Sequence, residues 1–330
     1  MTFGLTGLGN TPVDLLAMVD DAFLQTHGLA KGQYTKIDTL RAVAIERALA
    51  HVTMSPGGGV GNAVACYATL GGHAAFMGAI ADDDWGDSIL ADFQRRNVTC
   101  PSPITPSYQA TTKRLFCLVT PDAERSFAGY PGASPSPVFD MNTLCLDTLT
   151  RSNVLLLDGY LLGKDSAVTT FVKAIVIIKA QGGQVAFMPG DVAMLRDQAE
   201  HVRTLLPHID AVMLNEAEAC YLHHSDDMKM IFDALMNRFK YGSVTLGAQG
   251  AFVFQNGRGA TVAAAPLPRS IIDTTGAGDA FAGGFLYGLH HGYDLARAGQ
   301  IGAACAADVI GNYGARLPVG FRLPGDLFVV

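Results

Sequence analysis

The sequence is short of charge and nearly without tryptophan. Asp, Glu, Lys and Arg make up 16% of its 330 residues, and Trp85 is the sole indole. It contains no Lys/Arg run and its net charge is −7, which argues against nucleic acid and anionic membrane surfaces as partners. No apolar segment approaches the ~18 residues that span a bilayer. The opening "MTFGLTGLGN" lacks the basic start and apolar run of a secretory signal, so a cytoplasmic protein is expected. Six cysteines are scattered without a C-x-x-C pair, which excludes zinc spacing and leaves free thiols as the expectation. No G-x-x-x-x-G-K-[ST] occurs, so a Walker-type loop is excluded. Small anions remain possible ligands, because backbone N–H groups hold them without net positive charge.

What the chain does have is apolar residues, 49% of the total. They suffice for one large α/β core, alone or with a smaller lobe. Short apolar runs bounded by turn residues recur at 3–9, 74–80, 153–159, 183–188 and 210–215, and suit strands covered on both faces. Helical stretches such as "DSILADFQRRN" (87–97) and "DSAVTTFVKAIVIIKAQ" (165–181) lie between them, each opening on an Asp suited to capping. This alternation predicts a doubly wound, mainly parallel α/β sheet with helices on both faces. Residues 11–38 carry too few helical signals for a plain crossover, and 105–130 read as a hairpin. Together they predict a small β lid made of two discontinuous pieces, over one edge of a single domain spanning 1–330.

The stretch "DTTGAGDAFAGG" (273–284) holds the most chemistry. "SIID" (270–273) reads as a strand end and 279–292 as the helix after it, a junction where ligands collect in such sheets. Gly276, Ala277 and Gly278 permit positive φ and close approach to the main chain, and the first helical turn offers unpaired N–H groups to phosphate. Asp279 stands at that helix start, where the dipole is expected to keep it ionised and able to accept a hydroxyl proton. An Asp behind a glycine turn is also an ordinary helix cap.

The string "DTTGAGDAFAGGFL" resembles the second signature of the PfkB (ribokinase-like) carbohydrate and nucleoside kinases at every motif position, and "PGGGVGNAVACYATLGGHAAFMG" (56–78) resembles the first. The likeness covers nearly the whole chain and is nearest to adenosine-kinase-like members. It implies a ribokinase-like fold and ATP-dependent phosphorylation of a primary hydroxyl, with Asp279 as the base and Gly276, Ala277 and Gly278 around the γ-phosphoryl. Gly57 and Gly58 are then expected to let backbone approach a polyol, and Asn62 to offer donor and acceptor to vicinal hydroxyls. In "GNTPVDLLAMVDDAFL" (9–24), Asp14 beside Asn10 takes the sugar-binding place; Asn and Asp are also common turn residues there. "NEAEAC" (215–220) matches the N-x-x-E element, placing Asn215 near the triphosphate and Glu218 at Mg²⁺ through water. The same residues taken alone are ordinary capping.

The resemblance also puts Thr245, Gly247 and Gly250 of "VTLGAQGAFVF" (244–254), and Asn312 in "AADVIGNYGAR" (306–316), near ATP. Arg125 in "ERSFAGY" matches a lid arginine that neutralises the transferring phosphoryl; an exposed hairpin Arg is as often merely solvated. Loops around Asp273 and Gly314 correspond to a K⁺ site in some relatives. The histidine pairs 223–224 and 290–291 lack metal-ligand spacing. The acceptor is expected to be a ribonucleoside resembling adenosine, with a sugar kinase for ribose, fructose or a sugar acid as the alternative. Lys36 stands where nucleoside kinases offer an apolar wall, which favours a polar ligand unless it points to solvent. A binding regulator that has lost catalysis is the reading from another class, and the chain is expected to be a monomer or homodimer.

Overall fold

A computed structural model describes residues 2–108, 111–122, 124–132, 140–163 and 165–325. Its fourteen strands, among the described residues, are β1 (Phe3–Leu8), β2 (Val13–Met18), β3 (Tyr34–Lys36), β4 (Thr53–Pro56), β5 (Ala74–Met77), β6 (Val98–Thr99), β7 (Arg114–Val119), β8 (Arg125–Tyr130), β9 (Ser152–Asp158), β10 (Gln184–Met188), β11 (Ala211–Asn215), β12 (Tyr241–Thr245), β13 (Ala251–Gln255) and β14 (Arg258–Val262). Nine form one sheet in the order β14-β13-β12-β11-β10-β9-β1-β5-β6. From β12 to β6 every neighbour is parallel, and the antiparallel hairpins β12–β13–β14 close the other edge. The parallel strands are apolar throughout, as burial on both faces requires; Leu155, Leu156 and Leu157 of β9 are fully buried. The fold is the doubly wound, mainly parallel α/β class that the alternation predicts.

Five strands make a second sheet, β3-β8-β7-β2-β4. It draws on residues within 11–38 and 105–130, and also on Thr53–Pro56, which the sequence pattern did not single out. Residues 109, 110 and 123 of the second segment lie outside the described residues. Alternation along these strands sorts two faces. Val13, Leu15, Phe116 and Leu118 are buried with Leu24, Ala42 and Ile45 of the helices Asp21–Thr26 and Thr39–Ala48. On the other face, register brings Asp14 beside Leu115 and Ser55, Leu16 beside Cys117, and Cys117 beside Phe127.

Three details differ from the sequence expectation. Residues 270–273 form no strand: the N–H groups of Ile272 and Asp273 both donate to the Ile310 carbonyl, at 2.8 and 3.2 Å, a loop geometry that leaves no ladder. The helix Asp84–Arg95 is capped by Asp83, whose carboxylate accepts from Gly86 N, so Asp87 lies in the first turn instead. The helix after the glycine loop starts at Ala277, with Gly276 as its cap at φ +79°, a conformation glycine adopts without strain.

That helix, Ala277–His290, is clasped between Gly59–Thr69 and Leu295–Val309. At its glycines the neighbouring helices come close enough to reach main-chain atoms. A side chain on Gly283 would run into the Ala63 carbonyl, and one on Gly288 would come within 2.6 Å of Ala298 Cα.

Candidate active site

Loops at the carboxyl ends of β10, β11 and β12 and the start of Ala277–His290 enclose a cavity of about 320 Å³. Its lining includes Asn215, Glu218, Thr245, Gly276, Ala277, Gly278 and Asp279. The first turn of a helix has no intrahelical acceptor for its N–H groups and carries positive potential, so this corner is built for an anion. Gly278 has open space where a side chain would be, which keeps those N–H groups reachable.

Asp279 faces this cavity, and its Oδ2 accepts from Asn62 Nδ2 at 2.9 Å. The sequence led us to expect a carboxylate held firmly ionised by the dipole. Instead burial outweighs everything else: desolvation, with Asp158 adding to it, pushes Asp279 up to about 6 against the pull of Asn62 and Arg316. A carboxylate in that range is mostly ionised at neutral pH yet basic enough to take a proton.

The first-signature residues support the site rather than lie open in it. Both ends of the Asn62 amide are engaged, since Oδ1 accepts from Arg316 Nε at 3.0 Å. Gly57 makes room for a carboxylate: a side chain there would overlap Asp14. Gly58, at φ +91°, does the same for the Asn10 carbonyl. On the Cβ side of these two glycines stand protein groups, the Asp14 carboxylate and the Asn10 carbonyl. Asn10 donates its N–H to Asp158 Oδ2 at 2.9 Å, and its Oδ1 accepts from Lys113 Nζ at 2.8 Å.

Asp14 is the outlier. Burial pushes it up to about 7, and its Oδ1 is buried without a hydrogen-bond partner. It borders a small chamber of about 40 Å³ that also touches Leu115, Cys117, Phe127, Asp273 and Tyr313. An unpaired buried acceptor is costly and calls for a donor from outside the chain.

Glu218 and Asn215 form a reciprocal cap: Asn215 N donates to Glu218 Oε2 at 2.8 Å and Glu218 N to Asn215 Oδ1 at 2.9 Å. Burial first, then Asp191 and Asp279, push Glu218 up to about 7. Among the described residues no group of three His, Cys, Asp or Glu side chains could hold a metal. A buried acid beside other carboxylates, with no all-protein cage, fits a Mg²⁺ that keeps its waters and binds phosphate oxygens.

Thr245 ends β12 and Gly247 follows it, and Gly250 packs against the backbone of Val262–Ala264. A larger groove, about 620 Å³, runs along Ala263–Ala265, Ala303, Ala304 and Phe321. Asn312 is tied to the helix end: its Nδ2 donates to the Asp308 carbonyl at 2.7 Å and its Oδ1 accepts from Arg269. It lines neither cavity. Arg125 is also spoken for. Its guanidinium bonds Asp273 Oδ1 at 2.6 Å and the Ile272 carbonyl at 3.2 Å, joining the small sheet to the glycine loop. Asp273 is thus already paired with a cation of the protein itself. Lys36 is exposed.

Arg316, Asp92, Asp158 and Lys113 were not found from sequence. Asp158 ends β9 and could have been noticed as an acid at a strand's carboxyl end. Arg316 and Asp92 lie 224 positions apart and meet only in the fold.

Comparison with known proteins agrees with this geometry. The pfkB family carbohydrate kinase pattern matches residues 34–320. An uncharacterized sugar kinase of Archaeoglobus fulgidus is 28% identical over 247 residues, which cover 75% of this chain and 95% of that protein. Fructokinase-1 of Zea mays is 28% identical over 256 residues, covering 76% and 78%. The crystal structure of adenosine kinase from Sinorhizobium meliloti superposes with a TM-score of 0.85 at 30% identity, covering 96% of both chains. No helix among the described residues is long and apolar enough to cross a membrane.

Proposed function

The chain belongs to the pfkB family of carbohydrate kinases, phosphotransferases with a hydroxyl acceptor, and on that premise we propose that it phosphorylates the primary hydroxyl of a ribonucleoside at the expense of ATP. The observation that carries the reading is Asp279: a carboxylate near pKa 6, at a helix's positive end, opening on an anion-ready cavity.

Asp279 accepts the proton of the attacking hydroxyl. The N–H groups at Gly276–Asp279 hold the charge that develops on the transferring phosphoryl, so most of the acceleration comes from positioning and electrostatics. Asn215 and Glu218 border the triphosphate, and Glu218 would hold Mg²⁺ through water. When bound, Mg²⁺ neutralises phosphate charge. Thr245, Gly247 and Gly250 lead to the apolar groove beside Ala303 and Phe321, which suits the nucleotide base.

Asp14 takes the acceptor's ring hydroxyls, whose O–H groups satisfy its unpaired oxygen. Beside it Leu115, Cys117 and Phe127 form an apolar and aromatic wall, which favours a flat base over a bare sugar. Arg125, bonded to Asp273, holds the small sheet down as a lid over this chamber and limits entry of water. Fructokinase among the relatives supports a sugar as the second reading.

An ATP-coupled assay over a panel of nucleosides and sugars decides between them. Turnover highest with nucleosides supports the first reading and highest with hexoses the second. No turnover with any acceptor would point to a non-catalytic regulator.

A further inference from the structure

The carboxylate of Asp279 is held by a chain of bonds whose other members line none of the three cavities. Asn62 Nδ2 donates to Asp279 Oδ2 at 2.9 Å, and Arg316 Nε donates to Asn62 Oδ1 at 3.0 Å. A guanidinium has donors and no acceptor. The amide oxygen of Asn62 must therefore face Arg316, and its nitrogen must face Asp279. Oδ2 of Asp279 is fixed as an acceptor by this arrangement, which leaves Oδ1 for an incoming proton. Oδ1 lies beside Gly59, where a Cβ would stand 3.3 Å away; the absent side chain keeps that oxygen approachable.

Arg316 is itself immobilised. Its side chain is 3% exposed, Nη1 bonds Asp92 Oδ2 at 2.7 Å, and Nη2 bonds the Gly57 carbonyl at 3.3 Å. The guanidinium stacks 4.6 Å over Phe93. Asp92 is shared with Arg96 at 2.9 Å, which is anchored in turn on Thr69 Oγ1 and the Leu317 carbonyl. Burial alone would raise Asp92, but Arg96 and Arg316 overrule it and hold it down at about 2. The pair is thus charged, and the arginine cannot swing away without stranding a buried carboxylate.

We propose that Arg316 is a positioning residue for phosphoryl transfer: by locking the Asn62 amide it assigns the acceptor's proton to Oδ1 of Asp279. The inference rests on Asp279 being the base. In the step, the acceptor O–H bond breaks and its proton passes to Oδ1. The hydroxyl oxygen bonds the γ-phosphorus of ATP, and the bond to the β–γ bridging oxygen breaks with its electron pair leaving on ADP.

The groups that face Asp279 set the sign of a test. Asn62, from the helix Gly59–Thr69, and Arg316, from the carboxyl-terminal loop, favour the ionised form; Asp158, from the end of β9, opposes it. Asp14 on β2, Tyr160 and Glu218 are coupled to the same charge. Removing Arg316 frees the amide to turn its oxygen to Asp279, which suits only the protonated acid.

The experiment is the pH profile of kcat for Arg316→Met and Arg316→Gln, with thermal melts to establish folding. Gln puts an amide nitrogen as many bonds from the backbone as Arg316 Nε, so it keeps the donation and loses the charge. For Arg316→Met the acidic limb should move up by about one pH unit, with kcat down roughly threefold at about pH 6.5 and approaching roughly tenfold near pH ~5. Turnover should recover to nearly the parental value above pH 8.5, where the carboxylate is ionised in both. KM for ATP should be unchanged, and Gln should shift the limb by half as much or less. Should Arg316→Met fail to fold, Asn62→Ala must give the same limb shift while the Arg316–Asp92 pair stays intact. A limb at its parental position, a uniform loss at every pH, or a Gln profile like that of Met would each overturn the proposal. Full turnover by Asp279→Asn would instead remove the base reading; a collapse there with an unmoved limb in Arg316→Met removes only the role of Arg316.

Discussion

Replacing Asp14 by asparagine should make the unliganded protein more stable at pH 8 while weakening its hold on an acceptor. The carboxyl is displaced from 3.8 to about 7, with burial as the main cause and Arg316 as the main opposing pull. At 1.36 kcal/mol per unit, roughly three units amount to a penalty of about 4 kcal/mol on the ionised form. An amide in its place removes that penalty but brings an N–H without a partner, costing about 1–3 kcal/mol. The net gain is therefore about 1–3 kcal/mol, or about 2–4 °C in Tm at the usual unfolding entropy for a chain of this size.

The folded-state value lies above the unfolded one. The destabilisation is thus absent below about pH 4, grows through the window up to about 7, and is complete above it. Differential scanning calorimetry of both proteins at pH 4.5, 6 and 8 reads this directly. The variant should melt with or below the parent at pH 4.5 and above it at pH 8, and its KM for the acceptor should rise at least tenfold if two hydroxyl contacts are lost. A difference in Tm that does not change with pH would refute the reasoning, because it would mean the Asp14 carboxyl is not carried into the fold at a raised pKa.

Asp279→Asn should cut kcat by at least a hundredfold with little change in ATP affinity, measured by steady-state kinetics and nucleotide titration. Gly57→Ala should destabilise by about 1–3 kcal/mol in denaturant unfolding, since the added methyl overlaps the Asp14 carboxylate. Arg125→Ala removes the bridge to Asp273; ATP hydrolysis without acceptor should rise relative to transfer, and unchanged partitioning would show that the contact does not govern closure. Glu218→Gln should raise the Mg²⁺ concentration needed for half-maximal turnover while leaving the helix it caps folded by circular dichroism.

The parallel strands were legible because their pattern is continuous: β9 and β10 read as unbroken apolar runs between turn residues. The corner at Gly276 was legible because a positive φ there is one that glycine adopts without strain. β4 was not, since "TMSP" carries two small polar residues and a proline, and is ordered by pairing with β2. "SIID" misled in the opposite way. Its isoleucines look like a strand, but Ile271 is 57% exposed and no edge is there to pair with it. Asp83 stood in a run of three aspartates, any of which could cap a helix. The chemistry of the first signature was half legible. Asn62 was visible, but its actual partners come from Arg316 and Asp279, and only tertiary packing decides that an amide is spent on protein groups. Burial likewise decided the Asp279 pKa, and a local dipole argument contains no term for it.

Because the helix that carries Asp279 meets the one that carries Asn62 at Gly283, where a side chain would run into the Ala63 carbonyl, the spacing at that crossing leaves no room for a larger residue. The reacting end of the molecule is in that sense machined to a single gauge. On the proposed assignment of Asp279 as the base, variation in what is phosphorylated has to come from the small sheet, whose inward face can be rewritten residue by residue without moving that carboxylate. A graft of that sheet between relatives should change the choice of alcohol and leave the transfer step as it was.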